Sequence, residues 1–170
     1  SHMGYVLMGL GTLDTLSVDG AVLQMFSHGI MTAFFFAMVG VIYQRTHIRD
    51  ITILSGLGKK MGITGVFLAV AGLTSLGLPG FSSFVAEIMI FIGAYRTYPV
   101  VGVLTVIGAA ITAVYILRML GAVFFGPIEE NKWKDLTDAN KTETGVAVLL
   151  TGFLLLWGLY TFRIVEIIDS

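Results

Sequence analysis

The chain has 170 residues, of which 56% are hydrophobic and only 12% charged, with a mean hydropathy of +0.89. A water-soluble domain of this length carries about a quarter charged residues, so the composition excludes one and defines an integral membrane protein. A formal net charge of −1 points to no nucleic-acid partner on bulk electrostatics, and the lack of cysteine excludes disulfides, cysteine-ligated zinc and iron–sulfur clusters.

The chain opens on Ser1-His2-Met3-Gly4 and runs directly into the apolar Tyr5-Val6-Leu7-Met8-Gly9-Leu10. Two readings stand at this point. The first four residues are either the remnant of a cleaved affinity tag or native sequence. In both, residues 1–11 are expected to be the tail of an upstream transmembrane helix and the chain a fragment. Residues 20–43 follow as a transmembrane span whose only ionisable group is His28, flanked by Ser27 and Gly29 with Thr32 one turn on. Residues 44–60 form a polar connection carrying Arg45, Arg49, Lys59 and Lys60.

Residues 62–95 are the most informative part of the sequence. They form a 34-residue apolar stretch with one charge, Glu87, and a helix-breaking Gly77-Leu78-Pro79-Gly80. A straight helix of that length would run about 50 Å, against a hydrocarbon core of about 30 Å. The expectation is a discontinuous transmembrane helix, broken near residues 77–81, with Ser82 as the N-cap of its second half. Beyond the turn 96–98, Pro99 suits the first turn of a span over residues 99–125, because its missing N–H costs little there. Arg118, near the end of that span, reads as snorkelling toward the interface. Residues 127–143 form a polar loop with room for a short interfacial helix, and residues 144–163 are the last span. The fold class is therefore an all-α membrane bundle of four spans, one of them discontinuous.

The distribution of lysine and arginine orients it. Four of the ten lie between the first and second spans and three in the loop after the third, while residues 12–20 carry only Asp14 and Asp19. If residues 62–95 cross once, both basic loops fall on one side, which the positive-inside rule makes cytoplasmic. The C-terminus is then expected on the outer, periplasmic side.

Broken backbone and a buried acid are both costly in lipid and commonly mark an ion pathway. Glu87 lies more than one turn into the second half-helix, where its neighbours decide whether it is neutral or charged, as a proton-relay station requires. The competing reading is an acid that only ties helices together. His28 has an ordinary pKa near neutrality, which suits proton passage, though a histidine bonded across a helix interface would look the same. Thr32, Thr74, Ser75, Ser82 and Ser83 are candidates to line the opened backbone. Arg45, His47 and Arg49 read as interface anchors or subunit contacts. No metal site and no catalytic nucleophile are expected.

Taken in order, Ser1-His2-Met3-Gly4-Tyr5-Val6-Leu7-Met8-Gly9, Ser27-His28-Gly29, Gly77-Leu78-Pro79-Gly80 with Phe84 and Ala86-Glu87, and Tyr115-Ile116-Leu117-Arg118-Met119 to Gly126 resemble the antiporter-like subunits of respiratory complex I. Within them the subunit M branch of bacterial NADH–quinone oxidoreductase is the nearest likeness, because other branches carry Lys where this chain has Glu87. The resemblance implies the final third of such a subunit. It makes Glu87, His28 and His2 stations of an intramembrane proton relay, and it favours a native Ser1–Gly4. It also implies a bacterial inner-membrane location and partnership with other complex I membrane subunits, further antiporter-like ones among them. No redox cofactor is expected in this chain; NADH, flavin, iron–sulfur clusters and quinone would belong to partner subunits. The alternatives are an Mrp-type cation/proton antiporter, a membrane hydrogenase subunit, a non-transporting structural subunit, or a secondary transporter with its ligand at the break.

Overall fold

The computed structural model describes residues 1–127 and 133–160. Among these the regular structure is entirely helical: α1 (His2–Gly11), α2 (Thr15–Thr46), α3 (Gly62–Ser75), α4 (Ser82–Thr97), α5 (Pro99–Phe124) and α6 (Lys141–Leu159), with a 3₁₀ turn at Leu57–Lys59 before α3. Helices α2, α5 and α6 are each long and apolar enough to cross a membrane. At 14 and 16 residues, α3 and α4 are about 21 Å and 24 Å long and individually too short for a core of about 30 Å.

Local chemistry explains where the helices begin. The helix that contains the first expected span, residues 20–43, begins at Thr15 because Asp14 caps it, its Oδ2 accepting from the Ser17 N–H at 3.3 Å. The expected loop 12–20 therefore shrinks to a turn, and Asp19 lies inside α2. The last span starts at Lys141 because Asn140 and Glu143 form a reciprocal capping box. Residues 133–140 of the polar loop contain a single turn closed by Leu136 N–H to Trp133 O and no helix. The rest of the candidate interfacial helix, and the charges Arg163, Glu166 and Asp169, lie outside the described residues.

Helices α3 and α4 follow one another along α2, as their contacts with it show. Ser17 Oγ donates to Ile90 O, Gly20 abuts Met89 and the Ala86 carbonyl, Ser27 bonds Ser82 and Ser83, and the Phe34 ring meets Phe67 at 6.2 Å. Moving along α2, the partner number falls steadily through α4 and on into α3, so both halves run antiparallel to α2 in one line. Helix α5 returns alongside both halves, with Gly102 against Tyr95, Ile116 and Leu120 against Gly72, and Phe124 against Gly65.

The pattern of burial is inside-out relative to a soluble protein. Val103, Leu104, Ile107, Ile111 and Val114 of α5 face outward, while Ser17, Gln24, Ser27, Thr74, Ser82, Ser83 and Glu87 are buried. Hydrocarbon accepts the apolar exterior at no cost, whereas polar side chains must satisfy one another inside.

Candidate functional site

The break between α3 and α4 is ordered by its glycines. Helix α3 ends in a Schellman motif: the Gly77 N–H bonds Thr74 O at 3.1 Å, and the Leu78 N–H bonds Leu73 O at 3.2 Å. Gly77 takes φ +65° and Gly80 φ +101°, conformations that a side chain rarely adopts. Pro79 between them has no N–H to satisfy. Ser82 is the first residue of α4 and not its cap; Phe81 occupies the N-cap without a side-chain bond. The Ser82 hydroxyl instead lies 2.5 Å from Ser27 Oγ, which also reaches Ser83 Oγ at 3.0 Å. The hydroxyls thus tie α4 to α2 at the level of the break.

Three titratable side chains from three helices meet at this level. His2 of α1 places Nε2 3.0 Å from the Ser75 carbonyl, one of the acceptors left unpaired where α3 stops, and 3.8 Å from Glu87 Oε1. The His28 ring of α2 stacks on the His2 ring, with centroids 5.2 Å apart. Thr32 Oγ1 lies 3.3 Å and 3.4 Å from the two His28 ring nitrogens. His2 and Glu87 are buried and His28 is partly so. The arrangement brings two imidazoles and a carboxyl group within a few ångströms of one another, side-chain types that can exchange protons near neutral pH. It offers no metal cage: among the described residues no three His, Cys, Asp or Glu side chains converge for one.

The other sequence candidates divide. Ser75 contributes through its carbonyl, Thr74 turns its hydroxyl back onto Val70 O of its own helix, and Thr32 joins His28. Arg45 is tied within the chain, 2.6 Å from Glu143 Oε2, and Arg49 lies over the Tyr43 ring at 4.7 Å.

Several residues escaped the sequence reading. Tyr5 is buried with its ring edge-on to His2 at 5.9 Å. Gln24 is fully buried on α2 one turn before His28; as the only side-chain amide in residues 20–43 it carried a legible signal. Asp138 caps α3 from the distant loop, accepting from Ile63 N–H at 2.7 Å, Thr64 N–H at 3.1 Å and Thr64 Oγ1 at 2.7 Å. Gly158 of α6 lies against the Gly80 carbonyl and the Phe81 backbone and covers the break.

Residues 1–112 match the family described as "NADH:quinone oxidoreductase/Mrp antiporter, TM", and the chain belongs to that family. It is similar to "NAD(P)H-quinone oxidoreductase chain 4 2" of Synechococcus sp. (strain JA-2-3B'a(2-13)), at 39% identity over 181 residues that cover 100% of this chain and 34% of that one. It is 42% identical over 154 residues to a "NAD(P)H-quinone oxidoreductase chain 4" of Prochlorococcus marinus, covering 84% of this chain and 27% of the other. The chain thus spans about a third of the length of these curated relatives.

Among solved structures it resembles respiratory complex I from Thermus thermophilus with bound NADH, with a TM-score of 0.87 and 26% identity over 95% of this chain and 34% of that one. The membrane-bound sulfane sulfur reductase, an archaeal respiratory membrane complex, gives 0.85 and 31% over 93% of this chain and 26% of the other. The Mrp complex from Dietzia sp. DQ12-45-1b shares the fold, with a TM-score of 0.85 at 19% identity over 98% of this chain and 39% of that one. The family inferred from the His28 and Gly77–Gly80 motifs is the one these likenesses return.

Proposed function

We propose that this chain forms part of a proton-translocating membrane subunit of a complex I-type NADH–quinone oxidoreductase, and that His2, His28 and Glu87 are consecutive stations of its intramembrane relay. The observation that carries this reading is the meeting of those three side chains, from three helices, beside a break in the membrane-spanning backbone. Relatives named as chain 4 of NAD(P)H-quinone oxidoreductase, at about 40% identity across nearly the whole chain, favour it over an Mrp-type antiporter, for which only the fold speaks.

In this reading the chain holds no redox group. NADH, flavin, iron–sulfur clusters and quinone belong to partner subunits, and redox energy reaches Glu87 through conformational or electrostatic coupling. The basic loops face the cytoplasm and the C-terminal end faces the outer side of a bacterial inner membrane. Glu87→Gln keeps the shape of the side chain and removes its proton exchange. In the full-length subunit within the assembled complex, the proton-to-electron ratio should fall while assembly stays normal. An unchanged ratio would make the cluster a helix tie in a structural subunit.

A further inference from the structure

Gln24 is fully buried, and neither its Nε2 nor its Oε1 has a hydrogen-bond partner among the described residues. Membrane interiors do not retain such a side chain for packing, because an apolar residue of equal volume would fill the space without desolvating an amide. Its place on α2 is specific. One turn before it, Gly20 packs on the Ala86 carbonyl and Met89; three residues after it, Ser27 bonds Ser82 and Ser83. Gln24 is therefore level with residues 83–86 of α4, one turn short of Glu87. Its neighbour four residues on, on the same face of α2, is His28.

We infer that Gln24 is a positioning residue for the relay, holding an internal water that links the Glu87 carboxylate to the His28–His2 pair. The inference rests on the relay reading above. A side-chain amide has two donors and a two-lone-pair acceptor and does not titrate, so it can orient a water in either direction of transfer without trapping the proton. Buried waters sit where polar groups otherwise lack partners and make about three hydrogen bonds each. Gln24, Glu87 and the imidazole nitrogens supply that number. His2 reaches Glu87 directly at 3.8 Å, longer than a hydrogen bond, so a water beside the carboxylate also shortens the proton's step.

The test uses the full-length subunit in the assembled complex. A density map of the wild type fine enough to show water should place one within hydrogen-bond distance of the Gln24 amide and of Glu87 or His28. Gln24→Met, which fills the space without polar atoms, should assemble normally and lower the proton-to-electron ratio to that of Glu87→Gln. Gln24→Asn, which keeps donors and acceptor, should retain most of the wild-type ratio. A dry amide in the wild type, or a wild-type ratio in Gln24→Met, overturns the inference. If Gln24→Met does not assemble, the wild-type map decides alone. A water in place with Glu87→Gln still pumping normally instead sinks the relay reading, and the role of Gln24 in proton transfer with it.

Discussion

The Glu87 carboxylate is packed against the backbone of Gly77, and a methyl group on that glycine would collide with Oε2. The break and the acid are thus one unit: the residue that lets α3 end in a left-handed turn also makes room for the carboxyl group that faces His2. Gly80, the other left-handed glycine, has open space where its side chain would be.

Comparing alanine at these two glycines separates backbone strain from displacement of the acid. Both substitutions meet an unfavourable positive φ, costing about 1–3 kcal/mol. Gly77→Ala should in addition move Glu87 away from His2 and lower the proton-to-electron ratio more than Gly80→Ala at matched thermal stability. Equal ratios in the two variants would show that the Gly77 contact does not position the acid.

Gly158→Ala should loosen α6 from the break. Its new Cβ would lie 2.6 Å from the Phe81 carbonyl carbon and 2.7 Å from its Cα, and backbone cannot yield as a flexible side chain can. Overpacking of this kind costs about 1–3 kcal/mol. The check is thermal unfolding of the purified complex, which should move against a Gly152→Ala control, where the space is open.

Asp138 should make the polar-loop end of the fold sensitive to acid. Partial burial works to raise its pKa, but bonds from Thr64 Oγ1 and the Ala139, Ile63 and Thr64 N–H groups outweigh it and hold the carboxyl below the ordinary value of 3.8. Because the folded value is the lower one, the stabilisation is complete above pH 3.8 and is lost as pH falls through that depressed folded value. Asp138→Ala should cost about 1–2 kcal/mol at neutral pH, the usual worth of an N-cap. The gap between variant and wild type in denaturation curves should close below the carboxylate range; a gap independent of pH would mean that the charge of Asp138 does not matter.

The Arg45–Glu143 pair joins the end of α2 to the start of α6 at 2.6 Å, with both side chains largely covered. Glu143 also closes the capping box with Asn140, so its loss should cost more than the loss of Arg45. A double-mutant cycle with Arg45→Met and Glu143→Gln should give a coupling of about 0.5–1.5 kcal/mol. Zero coupling would leave only the capping role.

Much of the fold was legible from residue types alone. A charge-free run of apolar residues names a span, Pro99 names a helix start, and a Gly-Leu-Pro-Gly in the middle of an apolar stretch names a break, because each acts on its own stretch of backbone. Ser82 shows how such reasoning goes astray: a serine before a helical run reads as a cap, yet its hydroxyl found a stronger claim in Ser27 across the helix interface. Asp138 was invisible as the cap of α3 because capping is normally a local event, and here the loop supplying it lies far along the chain.

The site divides in the same way. Glu87 and His28 stood out by themselves as ionisable groups in apolar spans, and His2 came from resemblance. That their rings and carboxylate meet, with Ser75 O and Tyr5 beside them and Gln24 one turn away, depends on the register between α1, α2 and α4. Hydropathy and backbone breakage are properties of single segments and survive in a one-dimensional reading. Register is set by packing summed over every contact between segments, through glycines such as Gly20 and the serine pairs at the break. Only the folded chain performs that sum.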